Sequence, residues 1–85
     1  MDFLNFDSEP GSYRIVTDKQ VYLVQLPENF LSTGELSLED SPEQGVRKFY
    51  DLSLALGEQG VFTLDGGEDN PLVQVRIPPV RAIEK

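Results

Sequence analysis

The chain has 85 residues, of which fifteen are acidic and seven are basic, for a formal net charge of −8, and it contains neither cysteine nor histidine. At this length the chain can form only one modest hydrophobic core. The absence of cysteine excludes a disulfide scaffold, and the absence of histidine removes the commonest general base and zinc ligand. The negative charge argues against direct nucleic-acid binding, which depends on cationic side chains.

No apolar run reaches the roughly 18 to 20 residues of a membrane span. The amino-terminal segment carries acids where a signal peptide carries bases. We therefore expect a soluble protein, intracellular or part of a macromolecular assembly, with no signal peptide, no transmembrane segment and no membrane partner.

Residues 1–9 form an acidic-aromatic segment that precedes the turn pair Pro10 and Gly11. Its three large apolar side chains are Phe3, Leu4 and Phe6. Because exposing such side chains in a loose terminus is costly, we expect one of two arrangements. The segment either packs on the protein's own core as an extra edge strand or docks on a partner as an arm. Residues 10–85 are predicted to form a single small β-rich domain with a short proline-containing tail.

The next two apolar runs, residues 13–16 and 21–26, are separated by the polar residues 17–20. This pattern predicts a β-hairpin with a four-residue connection. The second run is apolar on nearly both faces, which indicates a central strand that Pro27 then ends. Phe30 and Leu31 are predicted to fold back on the core, and residues 35–39 alternate leucines with acids, as a half-exposed strand does.

Residues 42–56 fit two interpretations. Ser41, Pro42 and Gln44 resemble a helix start, and Gly57 resembles a helix stop, so the sequence allows one helix here. Residues 50–56 also alternate apolar and polar side chains and lead through a glycine-bounded turn into the apolar run at 61–64, which predicts a hairpin. We favour the strand, because the adjacent strand and the glycines suit a tight hairpin.

The last predicted strand covers residues 71–77 and ends at Pro78 and Pro79. Together the pattern predicts a mainly β fold, a small antiparallel sandwich or open barrel of about six short strands. One helix at 42–56 would make the fold α+β instead.

Residues 65–70 offer three carboxylates and an amide, the oxygen ligands that hard cations prefer. They lack the regular acidic spacing of a calcium-binding loop, so a glycine-rich hairpin turn is the favoured interpretation. We expect no bound metal and no cofactor. A small-molecule ligand is not expected either, because a chain of this length rarely frames a cleft.

The charge is unevenly distributed, at −7 up to residue 44 and −1 beyond it. We therefore expect a non-enzymatic structural or assembly protein that joins a protein partner, either a second copy or a basic protein surface, through sheet edges and the amino-terminal segment. The alternative is an acidic inhibitor that mimics nucleic acid and blocks a basic cleft of a nucleic-acid-binding protein. No catalytic residue is assigned, and the predicted contact residues are Phe3, Leu4, Phe6, Glu35, Glu39, Asp40 and Glu43.

Overall fold

The computed structural model describes residues 2–29, 32–66 and 72–85. The predicted packing of Phe30 and Leu31 lies outside these residues. The prediction of a mainly β fold is confirmed. The elements are β1 (Phe3–Asn5), β2 (Gly11–Thr17), β3 (Val21–Leu26), β4 (Gly34–Leu38), a 3₁₀ turn (Pro42–Gln44), β5 (Arg47–Ala55), β6 (Gln59–Asp65) and β7 (Leu72–Glu84).

Six of the strands form a closed antiparallel barrel in the order β5-β4-β3-β2-β7-β6, and β5–β6 pairing completes the ring. The sequence predicts a sandwich or an open barrel, and the structure is a closed barrel. Closure depends on the length of β5, whose first residues pair with β4 and whose later residues pair with β6. The seventh strand, β1, is added on the last residues of β5.

The predicted hairpin is formed by β2 and β3, with Val16 and Val21 as its last paired residues. Thr17 organises the connection between them. Its backbone N–H and its hydroxyl both donate to the carbonyl of Gln20, at 3.1 and 2.7 Å. The same hydroxyl accepts from the backbone N–H groups of Lys19 and Gln20. This buried threonine is thus fully hydrogen-bonded, which stabilises the tight reversal.

The segment at 42–56 does not form the helix that the sequence allowed. The helix-start residues produce only the 3₁₀ turn, in which the N–H of Gln44 donates to the carbonyl of Ser41 at 3.0 Å. Gly45 then adopts a left-handed conformation with φ of 80°, which ends the turn. The favoured strand follows as β5, because Leu52 and Leu54 become buried in the barrel.

A β-bulge in β5 changes which side chains enter the core. The alternating sequence places Tyr50 on the same face as Leu52. In the structure the pairing with β6 shifts between Phe49 and Asp51, so Phe49 is buried and Tyr50 is exposed. The extra residue inverts the alternation for the first part of the strand.

The prediction that the last strand stops at Pro78 and Pro79 is wrong. β7 continues through both prolines to Glu84, so the expected proline-containing tail is part of the barrel. The prolines lie where β7 changes partner, from β6 before them to β2 after them. A register shift occurs at this point, and irregular positions of this kind tolerate a missing N–H.

The barrel core surrounds Phe49. Its ring makes edge contacts with Phe62 at a centroid distance of 5.3 Å and with Phe6 at 6.1 Å. Gly34 lies beside the same ring, and a Cβ atom at that position would overlap it. The buried residues that complete the core are Leu4, Tyr13, Ile15, Val24, Leu26, Leu36, Leu52, Leu54, Leu64, Ile77, Val80 and Ile83.

Candidate protein-interaction site

The amino-terminal segment packs on the protein's own barrel, the first of the two arrangements that the sequence left open. Leu4 is only 1% exposed and lies in the core, where a partner cannot reach it. Phe6 packs against Phe49, whereas Phe3 is 59% exposed. Of the three predicted contact residues in this segment, Phe3 alone presents most of its side chain to solvent.

The outer edge of β1 offers very little for pairing with another strand. The N–H of Leu56 donates to the carbonyl of Asp2. Because backbone hydrogen bonding alternates along an antiparallel pair, the N–H and C=O groups of Phe3 and Asn5 point away from β5. The N–H of Asn5 donates to the hydroxyl of Ser8, and its carbonyl accepts from the N–H of Ser8, both at 3.0 Å. Within β1, Phe3 is therefore the residue whose outward N–H and C=O groups are not used by this turn.

The predicted contact residues do not form one continuous surface. Phe3 is opposite Ala55 on β5, whereas Glu35 is opposite Lys48 on the same strand. Seven residues of strand separate these positions, or roughly 23 Å at the usual rise. Phe3 and Glu35 therefore lie at different ends of β5.

Among the predicted acids, Glu39 is held in place by an ion pair. Its carboxylate accepts from Nε of Arg14 at 2.8 Å, and Glu84 accepts from the same guanidinium at 2.9 Å. The hydrogen bonds that Arg14 donates, first to Glu39 and then to Glu84, raise the pKa of Arg14 above its ordinary value. Asp40 and Glu43 are exposed in the connection between β4 and β5.

The outer face of β2, β3 and β4 contains a shallow depression of about 270 Å³, which we call the β3–β4 depression. Its floor follows two cross-strand rows, Leu23 with Ser37 and Ser12 with Gln25 and Glu35. Arg14 is opposite Leu23 in the register but does not line the depression. Val46, which precedes β5, lines the same depression. Leu23 is 40% exposed and Val46 is 59% exposed, so two apolar side chains share one concave surface.

Sequence reasoning missed this depression, although one signal for it was present. The run at 21–26 is apolar on both faces and predicts a strand with neighbours on both sides, which β3 is. In a single closed barrel only the inner face is covered, so Leu23 on the outer face remains exposed. Val46 gave no sequence signal, because its position depends on where the 3₁₀ turn ends.

Metal-binding side chains are not clustered in the described residues. No three acidic side chains among them are grouped so that they would hold a metal ion. In the same part of the chain, no buried side-chain nitrogen or oxygen lacks a hydrogen-bond partner. Residues 67–70 of the acidic loop lie outside the described residues, so the favoured hairpin turn without a bound cation stays a prediction.

Comparison with known proteins finds no matching family model, no similar curated protein and no similar solved structure. Across residues 2–29, 32–66 and 72–85, none of the helical structure has the length and apolar character needed to cross a membrane.

Proposed function

We propose that this protein is a non-enzymatic binding module that joins a protein partner through the β3–β4 depression. The observation that carries the proposal is that Leu23 and Val46 are both exposed and line the same concave surface. Scattered exposed apolar residues are ordinary, but apolar residues that share a concavity with a polar rim are typical of contact surfaces.

The rim of the depression favours a partner of particular chemistry. Glu35 makes no ion pair within the described part of the chain, and the cation opposite it, Lys48, makes none either. Glu39 is fixed nearby by Arg14. A partner that inserts one apolar side chain beside Leu23 and Val46 and places a basic residue near Glu35 complements this surface.

This proposal keeps the assembly role that the sequence suggests but changes the contact mode. Side chains of an outer barrel face make the contact, because the closed barrel and the Asn5–Ser8 turn leave few backbone groups for strand addition. Glu35 and Glu39 remain contact residues in the proposal, and Leu4 does not.

The proposal is tested by comparing Leu23→Lys with Leu72→Lys. Both leucines are exposed, at 40% and 58%, and Leu72 is not among the residues that line the depression. We expect Leu23→Lys to reduce partner recovery from a lysate of the source organism at least about tenfold, as loss of a central apolar contact does. Leu72→Lys is expected to retain the partner. Equal recovery with both variants, at unchanged melting temperatures, would contradict the proposal.

A further inference from the structure

The barrel contains a second concave feature, on its inner side. A cavity of about 190 Å³, which we call the barrel-mouth cavity, opens at the end of β4 where the connection to β5 begins. The β3–β4 depression lies on the outer face of the same strands, and Ser37 lines both concavities. Its apolar lining residues come from β3, β4, β6 and β7 and are Tyr22, Leu36, Leu38, Leu64, Val75 and Ile77.

The cavity exists because β4 and β5 pair over only three residues. Their register joins Gly34 to Phe49 at one end and Leu36 to Arg47 at the other. Beyond this pair β4 continues to Leu38 but pairs only with β3, and the 3₁₀ turn with Gly45 takes the place that a longer β5 would fill. A turn covers the wall of the barrel less completely than a strand does, so the interior opens to solvent here.

Arg47 gives this cavity a cationic rim. It is directly opposite Leu36, whose side chain is buried, and directly opposed residues in an antiparallel pair project to the same face. The guanidinium therefore belongs to the inner face of the barrel, at its mouth. Arg47 makes no ion pair in the part of the chain that the structure describes, whereas Arg14, Arg81 and Lys85 are each paired with a carboxylate.

Polar groups around Arg47 extend the rim. Gln20 and Gln44 line the cavity, and their amides provide further hydrogen-bond donors. Tyr22 lines it from β3 and is half-buried, and burial raises the pKa of its hydroxyl, which therefore stays protonated at neutral pH. The cavity thus combines apolar walls with Arg47, Arg76, two amides and a phenol.

We propose that the barrel-mouth cavity binds a small amphipathic carboxylate, with its apolar body among Leu36, Leu64 and Val75 and its carboxylate on Arg47. A guanidinium matches a carboxylate with two parallel hydrogen bonds, which makes a carboxylate the preferred head group. The volume holds an apolar body of roughly six non-hydrogen atoms, at about 30 Å³ for each water-sized atom. This proposal does not rest on the proposed partner surface. It revises the expectation of no small-molecule ligand, because the closed barrel frames a cavity that the short chain did not lead us to expect.

The net charge of −8 opposes the approach of an anion only at long range. At physiological salt, interactions between exposed charges are largely screened beyond about 8 Å. The residues that line the cavity include Arg47 and Arg76 and no Asp or Glu, whereas Asp65 lines a neighbouring surface depression together with Arg47 and Lys48. The charged side chains of the cavity lining itself are therefore all positive, although the whole protein is acidic.

The probe for this site is heptanoate, titrated into isotope-labelled protein and followed by amide and methyl NMR shifts. We expect saturable shifts at Leu36, Leu38 and Val75, and weaker binding of heptanol and heptylamine, which share the apolar tail but lack the carboxylate. The decisive variants are Arg47→Gln and Lys48→Gln. Both variants remove one exposed cation from β5. Lys48, however, lies opposite Glu35 in the strand register, so its side chain is on the outer face of the barrel.

We expect Arg47→Gln to weaken heptanoate binding at least about tenfold and Lys48→Gln to change it by less than about twofold. Equal weakening by both variants would show a general charge effect and overturn the proposal. Binding of heptanol as tight as that of heptanoate would also overturn it, as would the absence of saturable shifts at the cavity residues.

Discussion

Gly34 is the residue at which the space available to the backbone most directly limits the core. A Cβ atom there would overlap three atoms of the Phe49 ring, which is itself held by edge contacts with Phe6 and Phe62. A Cβ at Gly60 would also be too close to its neighbours, but those are the flexible side-chain ends of Leu54 and Ile77. The rigid ring cannot move aside as easily as the aliphatic side chains can.

We therefore expect Gly34→Ala to lower the free energy of unfolding by about 2 to 3 kcal/mol, and Gly60→Ala to lower it by a smaller amount. Urea denaturation of the two variants and the unmodified protein measures both changes. A cost for Gly60→Ala equal to or greater than that for Gly34→Ala would show that ring packing is not the limiting feature.

An exposed ion pair fixes the amino-terminal segment to the end of the chain. Nζ of Lys85 is 2.7 Å from a carboxylate oxygen of Glu9 and lies over the ring of Tyr13. The hydrogen bond from Lys85 lowers the pKa of Glu9 below its ordinary value. A carboxyl group whose pKa is lowered by folding stabilises the fold when the pH is above its pKa in the unfolded chain. This contribution is lost as the pH falls through its pKa in the folded protein.

Carbon NMR titration of the Glu9 carboxyl group tests this ion pair. We expect Lys85→Gln to raise the titration midpoint of Glu9. The matched control is Lys19→Gln, because Lys19 makes no ion pair in the described residues, and this variant is expected to leave the midpoint unchanged. An unchanged midpoint in Lys85→Gln would mean that the pair does not form in solution.

At the scale of the element, the bulge in β5 decides which deletions the barrel tolerates. Removing Tyr50 restores simple alternation, with Phe49, Leu52 and Leu54 still facing the core. Removing Ser53 instead turns Leu54 outward and breaks the pairing with β1 and β6.

We expect the protein without Tyr50 to unfold cooperatively at a reduced melting temperature, and the protein without Ser53 to lose cooperative unfolding. Circular dichroism during heating distinguishes the two results. Loss of cooperative folding in both deletions would show that the bulge itself is essential.

The carboxyl-terminal half of β7 is the element for which sequence and structure disagree most. A solvated tail after Pro79 could be removed without effect, but Val80 and Ile83 are buried and pair with β2. Deleting residues 80–85 is therefore expected to abolish cooperative unfolding, because it opens the barrel between β7 and β2. Deleting Lys85 alone is the control and is expected to leave the protein folded. A melting temperature unchanged by the longer deletion would instead support a solvated tail after Pro79.

The parts of the fold that could be predicted depend on neighbours in the chain. The β2–β3 hairpin follows from two apolar runs and a four-residue polar connection, and β5 follows from alternation beside a glycine-bounded turn. The path of β7 past its prolines depends on pairing with Thr17 and Ile15, more than sixty residues away. The local sequence contains no signal of that pairing, so it predicts that the strand ends at the prolines.

The same limit applies to the candidate sites. Glu35 and Glu39 stand out in the sequence as part of an acidic run, and both are near the β3–β4 depression. The depression itself needs Leu23 and Val46 to meet, and the barrel-mouth cavity needs residues of five strands to meet. Neither concavity has a signature within one segment, because each is produced by closure of the barrel.

At the scale of the whole molecule, we propose that a closed β-barrel binds a protein partner through the β3–β4 depression on its outer face. Its main competitor is the acidic mimic of nucleic acid, in which dispersed carboxylates make the contact. Four of the carboxylates, those of Glu9, Asp18, Glu39 and Glu84, are already engaged by cations of the same chain. The two accounts differ in how strongly salt weakens the complex, because apolar contacts are little screened.

The most direct test is the salt dependence of photo-crosslinking, with a photoreactive side chain placed at position 23 and, as the control, at position 72. In a lysate of the source organism at low and at high salt, the account predicts a partner crosslinked at position 23 only, with most of the product retained at high salt. A product formed equally at both positions, or one at position 23 that high salt abolishes, would contradict the account.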